Sequence, residues 1–353
     1  MNHKISVVFR LDAGPGIGLG HYYRCKSLAD KLNQKASSFR KTEYKAIECD
    51  FAVLNRTANF LEKENLKPHN LFTIQDEQEF IAKASHYNFI VIDHYQYDGD
   101  LLKQLSELKQ TKLIVIDDEC NRGNLYADMV INPADTFDKK HYQQLAANAS
   151  FCLGHQYALI RSEFVSAKNN YPFIDRKKII ISFGGADTAG LTIPTISKMI
   201  GDYRLINYEV VVITGAACKN IAEINHLCNQ ASFTHLHHID NMSEVLSQAV
   251  VAISAAGSTV YELAACGVPS VFAIVARNQQ SFISKQQNYQ WCQFIDCLSF
   301  DGKTKDCVSS LIDAFYKMLN LNQSEQLLAL SNIATAWVDG KGAERIANQI
   351  LKL

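Results

Sequence analysis

Short apolar runs alternate with amphipathic stretches along the whole chain. Ile5–Phe9, Phe51–Leu54, Phe89–Ile92, Lys112–Ile116 and Met129–Ile131 form one set of runs, and Ile179–Ser182, Val210–Ile213, Val250–Ile253 and Ser270–Ala273 a second. Most are continuous rather than alternating, the pattern of parallel strands covered on both faces. Helical patterns lie between them, for example Tyr22–Leu32 and Ser243–Ala249. The alternation predicts α/β domains with parallel sheets. A charged, irregular stretch containing Pro172, Val165–Lys178, separates the two sets and predicts a linker. The expected organisation is two Rossmann-like domains, residues 1–167 and 168–353, facing a crevice. The final helical stretch, Ser324 to Leu353, is interrupted at Asp339–Gly342, so the last helix can pack separately, back on the first domain. Ligands in such sheets bind outside the carboxyl ends of the strands.

Composition narrows the class without choosing a chemistry. The 353 residues are 47% hydrophobic and 20% charged, enough core for two soluble domains. A net charge of −1 argues against bulk nucleic-acid binding. The N-terminal apolar stretch is too short for a signal peptide, and no run is long enough to cross a bilayer, so no integral membrane contact is expected. Ten scattered cysteines without a CxxC read as reduced, mostly buried thiols of a cytoplasmic protein. The basic stretch Lys35–Lys45 reads as a solvated loop, with weak contact to an anionic membrane as the alternative.

The richest segment runs from Val250 to Gln280. An apolar strand gives way to the small-residue turn Ala255–Thr259 and then directly to a helical pattern closed by Gly267. Strand, small turn and helix start is the geometry that receives a phosphate. Gly257 permits close backbone approach, while Ser258 and Thr259 add hydroxyl donors. Glu262, one turn on, would repel a phosphate but suits a ribose diol. An ordinary N-capped helix is the competing reading.

Near the N-terminus, Ile5–Phe9 runs into a loop with glycines at 14, 16, 18 and 20, which delivers His21 to the start of a helix. The loop departs from GxGxxG, with Leu19 and His21 at the decisive positions, so a dinucleotide site is rejected. Gly18 and Gly20 instead allow a substrate close to the backbone. The positive end of a helix dipole favours neutral imidazole, the form a general base requires. Asp12 is expected to accept a hydrogen bond from that ring, and Arg10 and Arg24 to pair carboxylates or contact phosphate. A capping role for His21 and structural ion pairs for the arginines remain open. Asp93 and Tyr95 end a buried run and are expected to line the site, with Asp117 and Asp118 a weaker pair. Gly184 and Gly185 form a second strand-to-glycine turn suited to a diphosphate. His235 and His237 would share a face on a strand, but no third ligand stands at metal-binding spacing.

Taken in order, these pieces resemble a known family over nearly the whole chain. They are Arg10-x-Asp12, Ile17-Gly18-x-Gly20-His21-x-x-Arg24-Cys25, Asp93-His94-Tyr95, Ile116-Asp117-Asp118, and the stretch from Leu153-Gly154 through Tyr157, Arg161 and Glu163 to Phe164. Ser182–Asp187, Asn241-Met242, Gly257-Ser258-Thr259-x-x-Glu262 and Asn278-Gln279 follow. The family is the UDP-sugar hydrolases of pseudaminic acid biosynthesis, which act on UDP-2,4-diacetamido-2,4,6-trideoxy-β-L-altropyranose. The resemblance implies the two-domain glycosyltransferase-B (GT-B) architecture and a UDP-linked diacetamido sugar as substrate. It implies metal-independent, cofactor-free hydrolysis with anomeric inversion. His21 would activate water. Gly257, Ser258 and Thr259 would hold the diphosphate, Glu262 the ribose, the backbone from Ile239 to Met242 would border the uracil, and Asn278 and Gln279 would meet the sugar.

Two departures bear on the sugar. Tyr22-Tyr23 replaces the family's usual Val-Met, and Cys292–Phe300 stands where a Leu-Gly pair is usual. The tyrosines are expected to reshape the sugar pocket. Two other functions remain in view: a GT-B glycosyltransferase with a UDP-sugar donor, and a nucleotide-sugar-binding protein without turnover.

Overall fold

A computed structural model describes residues 3–38, 44–134, 139–165, 171–300, 304–321 and 323–353. Residues 39–43 of the basic stretch and 166–170 of the expected linker lie outside the described residues. The chain forms two compact units, Met1–Arg161 with Lys341–Leu353, and Ser162–Gly340.

The first unit carries a seven-stranded parallel sheet in the order β3-β2-β1-β4-β5-β6-β7. Its strands are β1 (His3–Leu11), β2 (Tyr44–Leu54), β3 (Asn70–Ile74), β4 (Phe89–Asp93), β5 (Lys112–Ile116), β6 (Met129–Asn132) and β7 (Ser150–Leu153). The unbroken apolar runs serve two layers at once. Val7, Phe9, Phe51 and Val91 feed one core, while Val8, Ala52, Ile90 and Ile92 feed the other. Phe9 and Phe51 are register partners with rings stacked at 5.2 Å. The helix Gly20–Ser38 buries Tyr22, Cys25, Leu28, Ala29 and Leu32 on the first of these layers, beside Ala343, Ile346, Ala347 and Ile350 of the helix Gly342–Ile350.

The second unit repeats the plan with six parallel strands in the order β10-β9-β8-β11-β12-β13. They are β8 (Lys178–Ser182), β9 (Glu209–Thr214), β10 (Thr234–His237), β11 (Ala249–Ala255), β12 (Ser270–Ile274) and β13 (Cys292–Asp296). Buried Arg176 has no carboxylate partner among the described residues. Its Nη1 donates to Cys266 O at 2.9 Å and Gly267 O at 3.2 Å, and its other nitrogens reach Tyr171 O. It thus meets the open carbonyls at the C-terminal end of the helix Thr259–Ala265.

In each sheet the order reverses once, between β1 and β4 and between β8 and β11. The loops beyond those strands diverge there and leave room for a ligand. One cysteine expectation is corrected: Cys297 and Cys307 are joined as a disulfide. The turn after β13 and the helix Thr304–Leu319 bring the two together. The other eight cysteines are free thiols, most of them buried.

Candidate active site

At the first reversal, β1 ends in Arg10 and Leu11, and β4 ends in Asp93, the register partner of Leu11. Beyond β1 the chain closes a tight loop. Gly14 and Gly18 exchange backbone hydrogen bonds of 3.2 and 2.8 Å, and Gly18 sits at φ +84°, where a side chain would be strained. Gly20 then opens the helix, and a Cβ there would meet nothing within 4 Å.

His21 turns its Nδ1 to Asp93 Oδ1 at 2.6 Å. Asp93 is fully buried and takes three further donors: Arg24 Nε at 2.5 Å, Arg24 Nη2, and the Cys25 thiol at 3.4 Å. Arg24 Nη1 reaches on to Asp118 Oδ2 at 2.7 Å. Tyr95, 43% exposed, donates its hydroxyl to the same oxygen at 3.1 Å and sets its ring edge-on to His21 with centroids 4.8 Å apart. Burial opposes charge on Asp93, but Arg24 and His21 outweigh it and hold the carboxyl well below the usual range. An ionised Asp93 can only accept, which assigns the ring proton to Nδ1. Nε2 has no protein partner among the described residues.

Asp12 does not meet His21. It lies toward β2 and accepts from Leu54 N at 3.2 Å, Thr57 Oγ1 at 3.1 Å, Arg10 Nη1 at 3.1 Å and His94 Nε2 at 3.2 Å. His94 Nδ1 accepts from Gln96 N at 3.2 Å, so its Nε2 carries the proton. Burial disfavours the Asp12 anion, yet His94 and Arg10 hold it below the usual carboxylate range. Arg10 is fully buried between Asp12 and Glu77 and has no exposed face for a substrate. Sequence reading missed Glu77, which resembles an ordinary acidic first-turn residue behind its cap Asp76. Asp117 is also buried and spent on Tyr142 and Arg122, and burial pushes its carboxyl up.

The tyrosine expectation is corrected in part. Tyr22 is 1% exposed and belongs to the core, and Tyr23 packs against that core with the Arg161 guanidinium 4.8 Å from its ring centroid. On one helix, His21, Arg24 and Cys25 share the stripe facing Asp93 while Tyr22 falls on another.

In the second unit, β8 leads through Phe183 to Gly184, whose φ of +82° favours glycine. Gly185 lies so near the end of β9 that a Cβ on Gly215 would stand 2.6 Å from its Cα. Beyond β11, Gly257 is open on its Cβ side, Ser258 is exposed, Thr259 is half-buried, and no side chain caps the helix that follows. Glu262 is buried one turn in. Ile239 and Met242 are half-buried around the start of the helix Met242–Leu246, which Asn241 caps. Asn278 and Gln279 lie in a short turn after β12, where Gln279 Oε1 accepts from Val275 N at 2.9 Å. His235 and His237 share the Thr214 hydroxyl at 2.8 and 3.1 Å, and burial and His237 lower the His235 imidazole. No cluster of three or more metal-ligating side chains occurs among the described residues.

The model of the glycosyltransferase family 28 C-terminal domain matches residues 179–327. An uncharacterised Methanocaldococcus jannaschii protein is 26% identical, the match covering 76% of this chain and 55% of that one. The Helicobacter pylori pseudaminic acid cytidylyltransferase and UDP-2,4-diacetamido-2,4,6-trideoxy-β-L-altropyranose hydrolase is 23% identical over 74% of this chain and 43% of that protein. The Campylobacter jejuni UDP-2,4-diacetamido-2,4,6-trideoxy-β-L-altropyranose hydrolase is 24% identical over 55% of this chain and 66% of its own length. The chain therefore spans only part of each of these relatives. Among solved structures, Acinetobacter baumannii MurG superposes with a TM-score of 0.61 at 13% identity, covering 99% of this chain and 100% of that one. The fold is thus GT-B: two Rossmann-like parallel-sheet domains. No helix among the described residues is long and apolar enough to cross a membrane.

Proposed function

We propose that this protein is a UDP-sugar hydrolase that cleaves UDP-2,4-diacetamido-2,4,6-trideoxy-β-L-altropyranose to UDP and the free sugar, with inversion. One observation carries the reading: an imidazole fixed through Nδ1 by a buried, ionised carboxylate, with no protein partner on Nε2 among the described residues. Similarity to the Helicobacter and Campylobacter hydrolases supports the substrate class.

In the proposed reaction, His21 Nε2 takes a proton from water as the water oxygen bonds to the anomeric carbon. The bond from that carbon to the diphosphate breaks on the opposite face, its electron pair leaving with UDP. The second unit would bind the nucleotide. Backbone amides around Gly184, Gly185, Gly257, Ser258 and Thr259 would stabilise the leaving diphosphate, which lessens the need for an acid. Glu262 would take the ribose hydroxyls, the Ile239–Met242 backbone would border the uracil, and Asn278 and Gln279 would position the sugar. Asp93 replaces Asp12 as the group that orients the base, and Tyr95 packs against it. The reading requires no cofactor.

The test is to incubate the purified protein with this UDP-sugar and EDTA, following UDP release and the configuration of the new sugar by NMR. Rapid release of the inverted free sugar without an acceptor is expected. Tight UDP binding without release would refute hydrolysis of this substrate and favour a transferase, the reading suggested by the name of the matched family.

A further inference from the structure

An arginine one turn along the helix from a candidate base, in a protein proposed to act on a diphosphate, would ordinarily be assigned to the phosphates. The geometry around Arg24 argues otherwise. Nε and Nη2 grip the two oxygens of Asp93 as a fork, and Nη1 reaches Asp118 Oδ2 at 2.7 Å. All three nitrogens are therefore engaged by carboxylates, and the side chain is only 15% exposed. Nη2 also lies 3.1 Å from His21 Nδ1, so guanidinium and imidazole share one carboxylate oxygen.

That sharing has a chemical consequence. A buried carboxylate paired with an imidazole alone draws a proton onto the ring, because an unbalanced anion is costly where polarity is low and its attraction for a cation is strong there. An imidazolium has no lone pair and cannot accept a proton from water. A permanent cation on the same carboxylate removes that pull while leaving the oxygen free to orient Nδ1–H. Among the described residues, the groups facing the ring are Asp93 from the end of β4, Tyr95 from the turn beyond, and Arg24 from the ring's own helix. Asp118 lies behind Arg24 and Tyr95, and the Cys25 thiol lies behind Asp93. Arg24 is the only cation among these groups.

We propose that Arg24 is a positioning residue for His21 and not a diphosphate ligand: it balances Asp93 so that the imidazole is held neutral, with Nε2 free to accept. The inference deepens the hydrolase reading and rests on it for the reaction, though not for the state of the ring.

Arg24→Gln and Arg24→Lys test it. UDP affinity, measured by titration calorimetry, should stay at the wild-type value in both. In Arg24→Gln, kcat should fall on the order of 10²-fold with little change in KM, and the acid limb of its pH profile should move to higher pH. Arg24→Lys keeps the charge but not the fork and should fall between. Nitrogen-15 NMR of the His21 ring needs no turnover. At neutral pH the wild-type ring should carry a proton on Nδ1 alone, and the Arg24→Gln ring on both nitrogens. Weakened UDP binding with an unmoved ring signal would overturn the proposal and make Arg24 a phosphate ligand. Should Arg24→Gln fail to fold, a wild-type ring protonated on both nitrogens at neutral pH would overturn it equally. A wild-type protein that hydrolyses no UDP-sugar refutes the reaction, while the ring spectra still decide the role of Arg24.

Discussion

Asp93→Asn exposes the candidate site to the sharpest test. The substitution keeps the shape of the side chain, removes its charge and turns one acceptor oxygen into a donor. In the native site one oxygen serves His21 Nδ1 at 2.6 Å, and the other serves Arg24 Nε at 2.5 Å. An amide can satisfy only one of these; whichever way it turns, an NH2 group meets an N–H. One charge-assisted bond lost is worth about 1.5–3 kcal/mol, and the mismatch left behind adds to it. Arg24 retains Asp118, which limits the damage. The expected loss of stability is about 2–4 kcal/mol. Turnover should fall on the order of 10²–10⁴-fold, since the base loses both its orientation and the anion that steadies its protonated form. The pH dependence has a definite sign. The folded-state carboxyl of Asp93 lies below its unfolded value. Its stabilisation is therefore complete above the ordinary carboxylate range and disappears as the pH falls through the folded value. Urea denaturation of wild type and variant should show a gap at neutral pH that narrows on acidification. A folded variant with near-native turnover, or a gap that does not narrow, would refute the assignment of Asp93.

His21→Ala should abolish UDP-sugar hydrolysis while leaving UDP binding by calorimetry nearly intact; near-native turnover would remove His21 as the base. Glu262→Ala should weaken UDP binding by about 1–3 kcal/mol if its hydrogen bonds to ribose are buried, and an unchanged Kd would sink that assignment. Arg176→Met strips donors from the carbonyls of Cys266, Gly267 and Tyr171. Its urea midpoint should drop by the equivalent of about 2–4 kcal/mol, discounted for relief of a buried cation; an unshifted midpoint would mean those carbonyls find other donors.

The inner strands were legible because both of their faces are covered. Phe89–Asp93 and Ala249–Ala255 are buried at every position and appear as unbroken apolar runs. The strands missing from the sequence reading are β3, β7 and β13, which with β10, conceivable there only as a strand bearing two histidines, are the outer strands of the two sheets. Each is partly exposed, and Asn70-Leu71-Phe72-Thr73-Ile74 shows why: only its last residue is buried. An edge strand with one wet side carries polar residues and loses the signal of burial. The misplaced partner of His21 has a different cause. Asp12 is near His21 in sequence, but β1 has neighbours on both sides, and the residue after its end went to the β2 side. The carboxylate that reaches the ring comes from β4, more than seventy residues on. Local spacing cannot supply strand order. Burial of Arg10 and Tyr22 was equally hidden, because a charged or phenolic side chain in sequence gives no sign of which stripe of a helix or which sheet face it will occupy.

The helix Gly342–Ile350 has a consequence for how the protein is made. Its buried residues Ala343, Ile346, Ala347 and Ile350 complete a core whose other members include Val7, Leu28 and Leu32, yet they emerge from the ribosome only after the whole intervening unit. At bacterial or eukaryotic rates of about 5–20 residues per second, the first unit waits roughly 10–35 s with an apolar seam unfilled along the helix that carries His21 and Arg24. The second unit, contiguous in the chain, can finish first. On the proposed function, newly made protein would therefore bind nucleotide before it could hydrolyse anything, and the open seam would be the apolar surface offered to a chaperone.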